Sequence, residues 1–295
     1  MRAPLSPVAL ALLALAGCAG EPGAPPAAPP QTTVALALPG ASAIEARVAD
    51  ATGRLEQSEA GRLLLASIDR HGGLARWYGN GPVHFRYRYE RLDGGDAIDT
   101  EQTVDTWSAR ARHTLAADSV AFGWTGTEAW VRPAGAELPT DARFWSLTPY
   151  YFVGMPFVLA DPGVNLETAG QMEAEGRTYD LLRATFDPGT GDAPDDYYFL
   201  LLDPETRRVG GVRYVVSYPG FFPEGGHTPE KLMLYDGAQT VDGITLQEGF
   251  RSFAWTGAGV GAPSARGSVT ELRFVPDTPD AAFAVPEGAQ AVDGF

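Results

Sequence analysis

Residues 144–163, FWSLTPYYFVGMPFVLADPG, form an aromatic and aliphatic run that carries a single charge, Asp161. Such a run has to be buried. Pro149, Gly154, Pro156 and Pro162 interrupt it, which excludes one long helix and excludes a central strand, because each proline removes a backbone donor and fixes φ. Short helical pieces fit instead. Thr148-Pro149 and Met155-Pro156 place proline where a first helical position tolerates it, with Asp141 or Thr148 as the cap of a first turn. The sequence on either side alternates in the β manner, so a sheet curled around this stretch, or plugged by it, is expected.

Before the run, residues 56–78 read as an amphipathic helix with Leu55, Leu63, Leu64, Ile68, Leu74 and Trp77 as its apolar stripe, broken or bent at His71-Gly72-Gly73 and stopped at Tyr78-Gly79-Asn80-Gly81-Pro82. Residues 83–91 then alternate Val83, Phe85, Tyr87 and Tyr89 against His84, Arg86, Arg88 and Glu90, the pattern of a strand with one buried and one wet face. Strands are also expected at 97–107, 109–116, 119–125, 128–132, 165–173, 177–187, 197–203, 207–217, 231–241, 244–255 and 268–275. Asp203-Pro204-Glu205-Thr206 and Val241-Asp242-Gly243 supply turn chemistry. The fold class is therefore mainly β (α+β): a single, highly curved antiparallel sheet or incomplete β-barrel of about 11–12 strands. An N-terminal helix and short central helices close its concave side. No internal repeat or second domain boundary is apparent in 51–295.

The first 17 residues hold one arginine and an apolar core, too short to span a bilayer, so they read as a signal peptide. Leu15-Ala16-Gly17-Cys18 resembles the lipobox of bacterial lipoproteins, which implies that Cys18 is lipidated, with acyl chains such as palmitate, and becomes the mature N-terminus. At about 0.8 kcal/mol per buried CH₂, more than one chain anchors a protein stably to a membrane. Ala19 in the following position implies the outer membrane, facing the periplasm. Residues 18–50 read as a Pro/Ala-rich tether followed by an extended arm. Cys18 is the only cysteine, so neither an intrachain disulfide nor cysteine catalysis is available. A net charge of −15 argues against nucleic acid and anionic lipid surfaces as partners.

Several motifs in order resemble the LolA/LolB-like superfamily of bacterial lipoprotein carriers and receptors. They are His71-Gly72-Gly73-Leu74-Ala75-Arg76-Trp77, the run from Tyr151 to Gly163, and the hairpin Leu202-Asp203-Pro204-Glu205-Thr206. Gly243-Ile244-Thr245-Leu246 follows, and Phe274-Val275-Pro276-Asp277 with Phe283-Ala284-Val285-Pro286-Glu287-Gly288 completes the set. The resemblance spans roughly residues 60–290 and implies a half-barrel that holds acyl chains. No individually assigned binding residue of the family matches a position here.

Two candidate sites follow. The first is a cavity under 144–163, lined by Phe144, Trp145, Tyr150, Phe152, Met155, Phe157 and Leu159; the alternative is that these side chains fill the barrel as core. The second is the loop Pro219-Gly220-Phe221-Phe222-Pro223-Glu224-Gly225-Gly226, where Phe221 and Phe222 either touch the membrane or close the barrel mouth, or fold back onto the core. The chain lacks a Gly-x-Ser-x-Gly elbow, a His-Glu-x-x-His motif, a phosphate loop and a dinucleotide glycine pattern. His71, His84, His113 and His227 are scattered, with His84 and His113 expected on wet strand faces. The acidic loop with Asp187, Asp192, Asp195 and Asp196 lacks Ca²⁺-loop spacing. The expectation is a monomeric, non-catalytic lipoprotein without cofactor or metal, binding a lipid or acyl chain. A scaffold lipoprotein with a filled barrel is the alternative, and a hydrolase built on converging Asp and His residues a remote one.

Overall fold

The computed structural model describes residues 36–117, 119–193 and 195–292. The signal peptide, Cys18 and the proline-rich tether fall outside these residues. Alternation drives the sheet: β1 (Val83–Arg91) buries Val83, Phe85 and Tyr87 and leaves Arg88 exposed. Its companions are β2 (Ile98–Val104), β3 (Ala111–Leu115), β4 (Ala121–Trp124), β5 (Ala129–Arg132), β6 (Val164–Ala174), β7 (Arg177–Phe186) and β8 (Tyr198–Leu202). Then come β9 (Val209–Tyr214), β10 (Lys231–Asp236), β11 (Gln239–Val241), β12 (Ile244–Leu246), β13 (Gly249–Trp255), β14 (Val260–Phe274) and β15 (Gln290–Val292). Among the described residues, 13 strands form one curved antiparallel sheet in the order β15-β5-β4-β3-β2-β1-β14-β13-β10-β9-β8-β7-β6, while β11 and β12 pair separately. The sheet is open, with β15 and β6 as its edges.

Four helices accompany it among the described residues: α1 (Ala41–Leu55), which packs on the next two, α2 (Glu59–His71), α3 (Leu74–Gly79) and α4 (Ala142–Val153), with 3₁₀ turns at Phe157–Ala160 and Asp280–Phe283. None of the helices described is long and apolar enough to cross a membrane. Two expectations are corrected here. The supposed extended arm folds as α1 from Ala41 onward, so the division at residues 50 and 51 falls inside a helix. The helix read over 56–78 begins only at Glu59, with Leu55 closing α1, while the break expected at His71-Gly72-Gly73 is present because Gly72 and Gly73 both take positive φ between α2 and α3. Ser58 caps α2 by accepting from the Gly61 N–H.

Gly72 has a second reason to be glycine. With φ at +120°, a Cβ there would fall 2.1 Å from the carbonyl oxygen of Gly243. Gly72→Ala is expected to destabilise the protein by on the order of 1–3 kcal/mol, measurable as a lower urea midpoint.

The prolines of the central run are also placed differently from expectation. Asp141 does cap α4, accepting from the Phe144 N–H at 2.8 Å, but Pro149 lies inside the helix rather than in a first turn. The hydroxyls of Ser146 and Thr148 donate to the carbonyls of Ala142 and Phe144 one turn earlier, at 2.7 and 2.6 Å, which satisfies both side chains inside the helix.

The helix-covered face holds the main core, with Phe85, Phe122, Phe157, Leu182, Leu200, Val212 and Met233 among its buried members. A second apolar cluster occupies the opposite face: Leu181, Leu201, Leu232 and Leu234 alternate with main-core residues along the same strands. The far end of the β6–β7 hairpin covers it. Met172 and Tyr179 are buried in that cluster, the Tyr179 ring lies against Gly210 of β9, and Glu175 at the tip pairs with Arg251 of β13 at 2.6 and 2.9 Å.

Candidate functional site

Along α4 the burial pattern separates two faces. Trp145, Pro149, Phe152 and Val153 are buried, whereas Phe144, Leu147, Thr148 and Tyr151, spaced i, i+3, i+4, i+7, stay half-buried. That second stripe forms one wall of a cavity of about 300 Å³. The facing wall comes from Val164 and Phe186 at the sheet edge, Tyr198 of β8, and Val216 and Tyr218 after β9, with Val158 of the 3₁₀ turn beneath. Its volume lies at the low end for small-molecule sites. Aromatic contacts hold the wall in shape: Tyr151, Phe186 and Tyr198 pack edge-on or tilted at 5.5–6.1 Å between centroids.

Of the residues expected to line this cavity, Phe144, Tyr150 and Phe152 do so. Trp145, Met155, Phe157 and Leu159 do not; they belong to the main core. Phe157 stacks on Trp77 at 4.6 Å with planes 6° apart, and Trp145 meets Tyr87 and Tyr89 edge-on. Sequence reasoning missed Leu147, Thr148, Tyr151, Val158, Phe186, Tyr198, Val216 and Tyr218. The helical spacing of Phe144, Leu147, Thr148 and Tyr151 was the available signal, hidden because the prolines argued against reading the run as one helix. Phe221 retains 47% of its surface exposed, yet its ring packs on Phe144 at 4.9 Å and Tyr218 at 5.1 Å. Phe222 is half-buried and its N–H donates to the Tyr218 carbonyl.

The cavity rim is polar and mostly acidic. Arg143 lies 3.5 Å over the Trp124 ring and pairs with Asp192 at 2.8 Å. Asp196, 8% exposed, accepts from the backbone N–H and hydroxyl of Ser217 and from the Tyr198 hydroxyl; burial nonetheless holds its carboxyl above the usual range. Asp161 is likewise raised by burial, against the pull of Arg47. Arg47 of α1 reaches it at 3.0 Å while lying over the rings of Tyr78 and Trp107 at 4.2 and 4.7 Å. Arg54, two turns further along the same face, donates to the Ala160 carbonyl at 2.7 Å. Helix α1 thus fastens the end of the central run.

The histidines do not converge. His71 bonds the Thr245 carbonyl through Nδ1 at 2.7 Å and accepts from the Val209 N–H through Nε2 at 3.2 Å, which fixes its neutral tautomer. Burial lowers it to about 4. His113 corrects the expectation of a wet face: it is fully buried, stacked on Phe122 at 4.6 Å, with Nε2 donating to the Ser146 carbonyl of α4. Strand β3 faces α4, so its apolar side is where His113 points. Its pKa falls to about 4 through burial. His84 is half-buried and bonds the Thr103 hydroxyl, and His227 bonds the Thr228 carbonyl at the surface. Among the described residues, no group of three His, Cys, Asp or Glu side chains is placed to hold a metal.

No protein-family model matches the chain, and no curated protein matches its sequence. Its structure is similar to that of a LolA superfamily protein from Nitrosomonas europaea, with a TM-score of 0.50 at 11% identity, covering 77% of this chain and 97% of that one. A DUF1329 family protein from Desulfovibrio piger superposes with a TM-score of 0.48 at 11% identity, over 82% and 97% of the two chains. Identities this low speak of fold alone. The fold is LolA-like: an open, curved antiparallel sheet whose one face is covered by helices.

Proposed function

We propose that this protein is a non-catalytic bacterial envelope lipoprotein that binds or shuttles an apolar ligand, a lipid or a lipoprotein acyl chain, in the cavity beneath α4. The observation that carries the reading is the cavity itself. Its walls are the half-buried stripe of α4 and the facing Phe186, Tyr198 and Val216, a predominantly aromatic and aliphatic surface that is stabilised by excluding water. The lipobox at Cys18 supports a lipid anchor, with the proline-rich residues after it giving reach from the membrane. Ala19 supports the outer membrane and a periplasm-facing domain. Phe221 and Phe222, on a loop beside the cavity, are the residues that touch the membrane or close the mouth in this reading, supported by the exposure of Phe221 and its contact with Phe144.

The test is chemical. Lipid extracted from the gently purified chain and analysed by mass spectrometry is expected to be recovered at near one equivalent. Leu147→Trp combined with Val216→Trp, which fill the cavity from opposite walls, should reduce it at least tenfold with little change in melting temperature. Recovery of no lipid from the wild-type chain, together with no binding of an apolar dye, would leave the scaffold reading in its place.

A further inference from the structure

A second cavity of about 440 Å³ opens at the rim of the same helix-covered face, between the ends of β1, β2 and β10 and the loop bearing Phe221. The single lysine of the chain, Lys231, lines it. Lys231 is two residues before the main-core Met233 on β10, so strand alternation turns it to the helix-covered side. Tyr89 and Ile98 supply apolar wall.

The charges around Lys231 are unequally committed. Arg91 and Asp93 pair with each other. Asp141 accepts from the Phe144 N–H and the Tyr218 hydroxyl, at 2.8 and 3.0 Å. The ammonium of Lys231, a half-buried residue, makes no hydrogen bond or ion pair among the described residues. Burial lowers its pKa, with the positive charge of Arg91 acting in the same direction. A desolvated ammonium without a partner costs free energy that a bound anion returns. The apolar cavity described above is next door: Phe144 and Tyr218 belong to its wall and touch Phe221, which belongs to the wall of this one.

We infer that Lys231 is the headgroup site of an anionic single-chain amphiphile, holding a carboxylate or phosphate monoester while the chain passes the Phe144–Phe221 contact into the cavity beneath α4. The inference rests on the binding function proposed above and adds the ligand's charge. It also runs against the net charge of −15, which disfavours anions at long range. That field is screened within about 10 Å in ordinary buffer, whereas a charge-assisted contact at the site is not.

Laurate, dodecyl phosphate and 1-dodecanol, which share a twelve-carbon chain, test it by calorimetric titration of the purified, delipidated full chain. Laurate or dodecyl phosphate, or both, should bind about 10- to 100-fold more tightly than dodecanol, as expected for a hydrogen bond to a charged group. Which of the two binds better distinguishes a fatty-acid from a phospholipid source. Lys231→Met should abolish that preference and leave dodecanol binding intact, which also shows that the variant is folded; Lys231→Arg should keep the preference. Because the chain has one lysine, reductive ¹³C-methylation also gives its side chain a resonance that should shift with the anionic ligands and not with dodecanol. Equal binding of all three ligands, or a preference that survives in Lys231→Met, overturns the headgroup assignment and leaves the apolar cavity standing. Binding of none of them overturns both.

Discussion

Trp77→Ala is expected to destabilise the protein by about 3–5 kcal/mol, the range for removing a large aromatic side chain from a packed core. Trp77 is 1% exposed. It stacks on Phe157 at 4.6 Å and on Tyr150 at 6.0 Å, and meets Phe274 edge-on at 6.2 Å. One ring therefore joins α3, the central run and β14. A loss of this size is a large part of the ~5–15 kcal/mol that holds a typical domain folded. Urea unfolding should show a much lower midpoint at unchanged slope. The same substitution removes the support under the 3₁₀ turn that carries Val158, so the cavity beneath α4 should also lose affinity for apolar dyes. A fall of less than about 1 kcal/mol would mean that the central run is held by other contacts.

Acidification is the second large effect, and its sign is set by two buried histidines. His71 and His113 both titrate at about 4 in the folded state against about 6.5 when exposed. The folded protein therefore binds fewer protons than the unfolded chain between pH 6.5 and 4, so stability is full above pH 6.5 and falls as the pH drops through that window. At 1.36 kcal/mol per pKa unit, each histidine contributes a loss on the order of 3 kcal/mol by pH 4. Asp161 and Asp196, raised by burial, act in the opposite direction, so the clean measurement is a difference between variants. His113→Leu leaves the Ser146 carbonyl without its donor and lowers stability at pH 7. Its stability should change less between pH 7 and 4.5 than that of the wild type, by roughly 2.4 kcal/mol. An identical pH dependence in the two proteins would show that His113 is not buried and neutral.

The strands were legible where one face is buried and the other wet. Val83, Phe85 and Tyr87 announce β1 through period-two alternation alone. The outer-face cluster left a trace as well: Leu181-Leu182, Leu200-Leu201-Leu202 and Leu232-Met233-Leu234 are continuous apolar runs, which mark strands buried on both sides. What covers the second side is tertiary, because the β6–β7 hairpin tip meets β13 through Glu175 and Arg251, 76 residues apart. Strand β14 begins earlier than its sequence suggests. Gly261, Pro263 and Gly267 argue against a strand, but the register between β13 and β14 shifts where Phe253 faces Pro263, and a bulge is a place where a strand tolerates proline's missing donor.

Helix α1 escaped for a related reason. Its cap, Gly40, makes no side-chain hydrogen bond, and among its residues only Ala51 and Leu55 are buried, so it shows weak signals of both start and core face. Its purpose is visible only in three dimensions, where Arg47 meets Asp161 at a separation of 114 residues. At the site, the aromatic content of the central run pointed to the right segment, while the choice of residues within it needed the helical phase. Phe144 was found; Leu147 and Tyr151 were not. Lys231, alone of its kind in the sequence, gives no signal of its placement there, since Tyr89 lies three strands away in the sheet and the two meet only across a cavity that Phe221 also lines.

The most direct measurement of the central claim is photo-crosslinking of a fatty acid bearing a diazirine near its methyl end, with the attachment sites mapped by peptide mass spectrometry. If the cavity beneath α4 holds the chain, label should concentrate on the peptides carrying Leu147, Tyr151, Phe186 and Val216, and unlabelled fatty acid should compete it away. Label spread over the outer face of the sheet, or confined to the exposed Phe221 loop and insensitive to competitor, would contradict it.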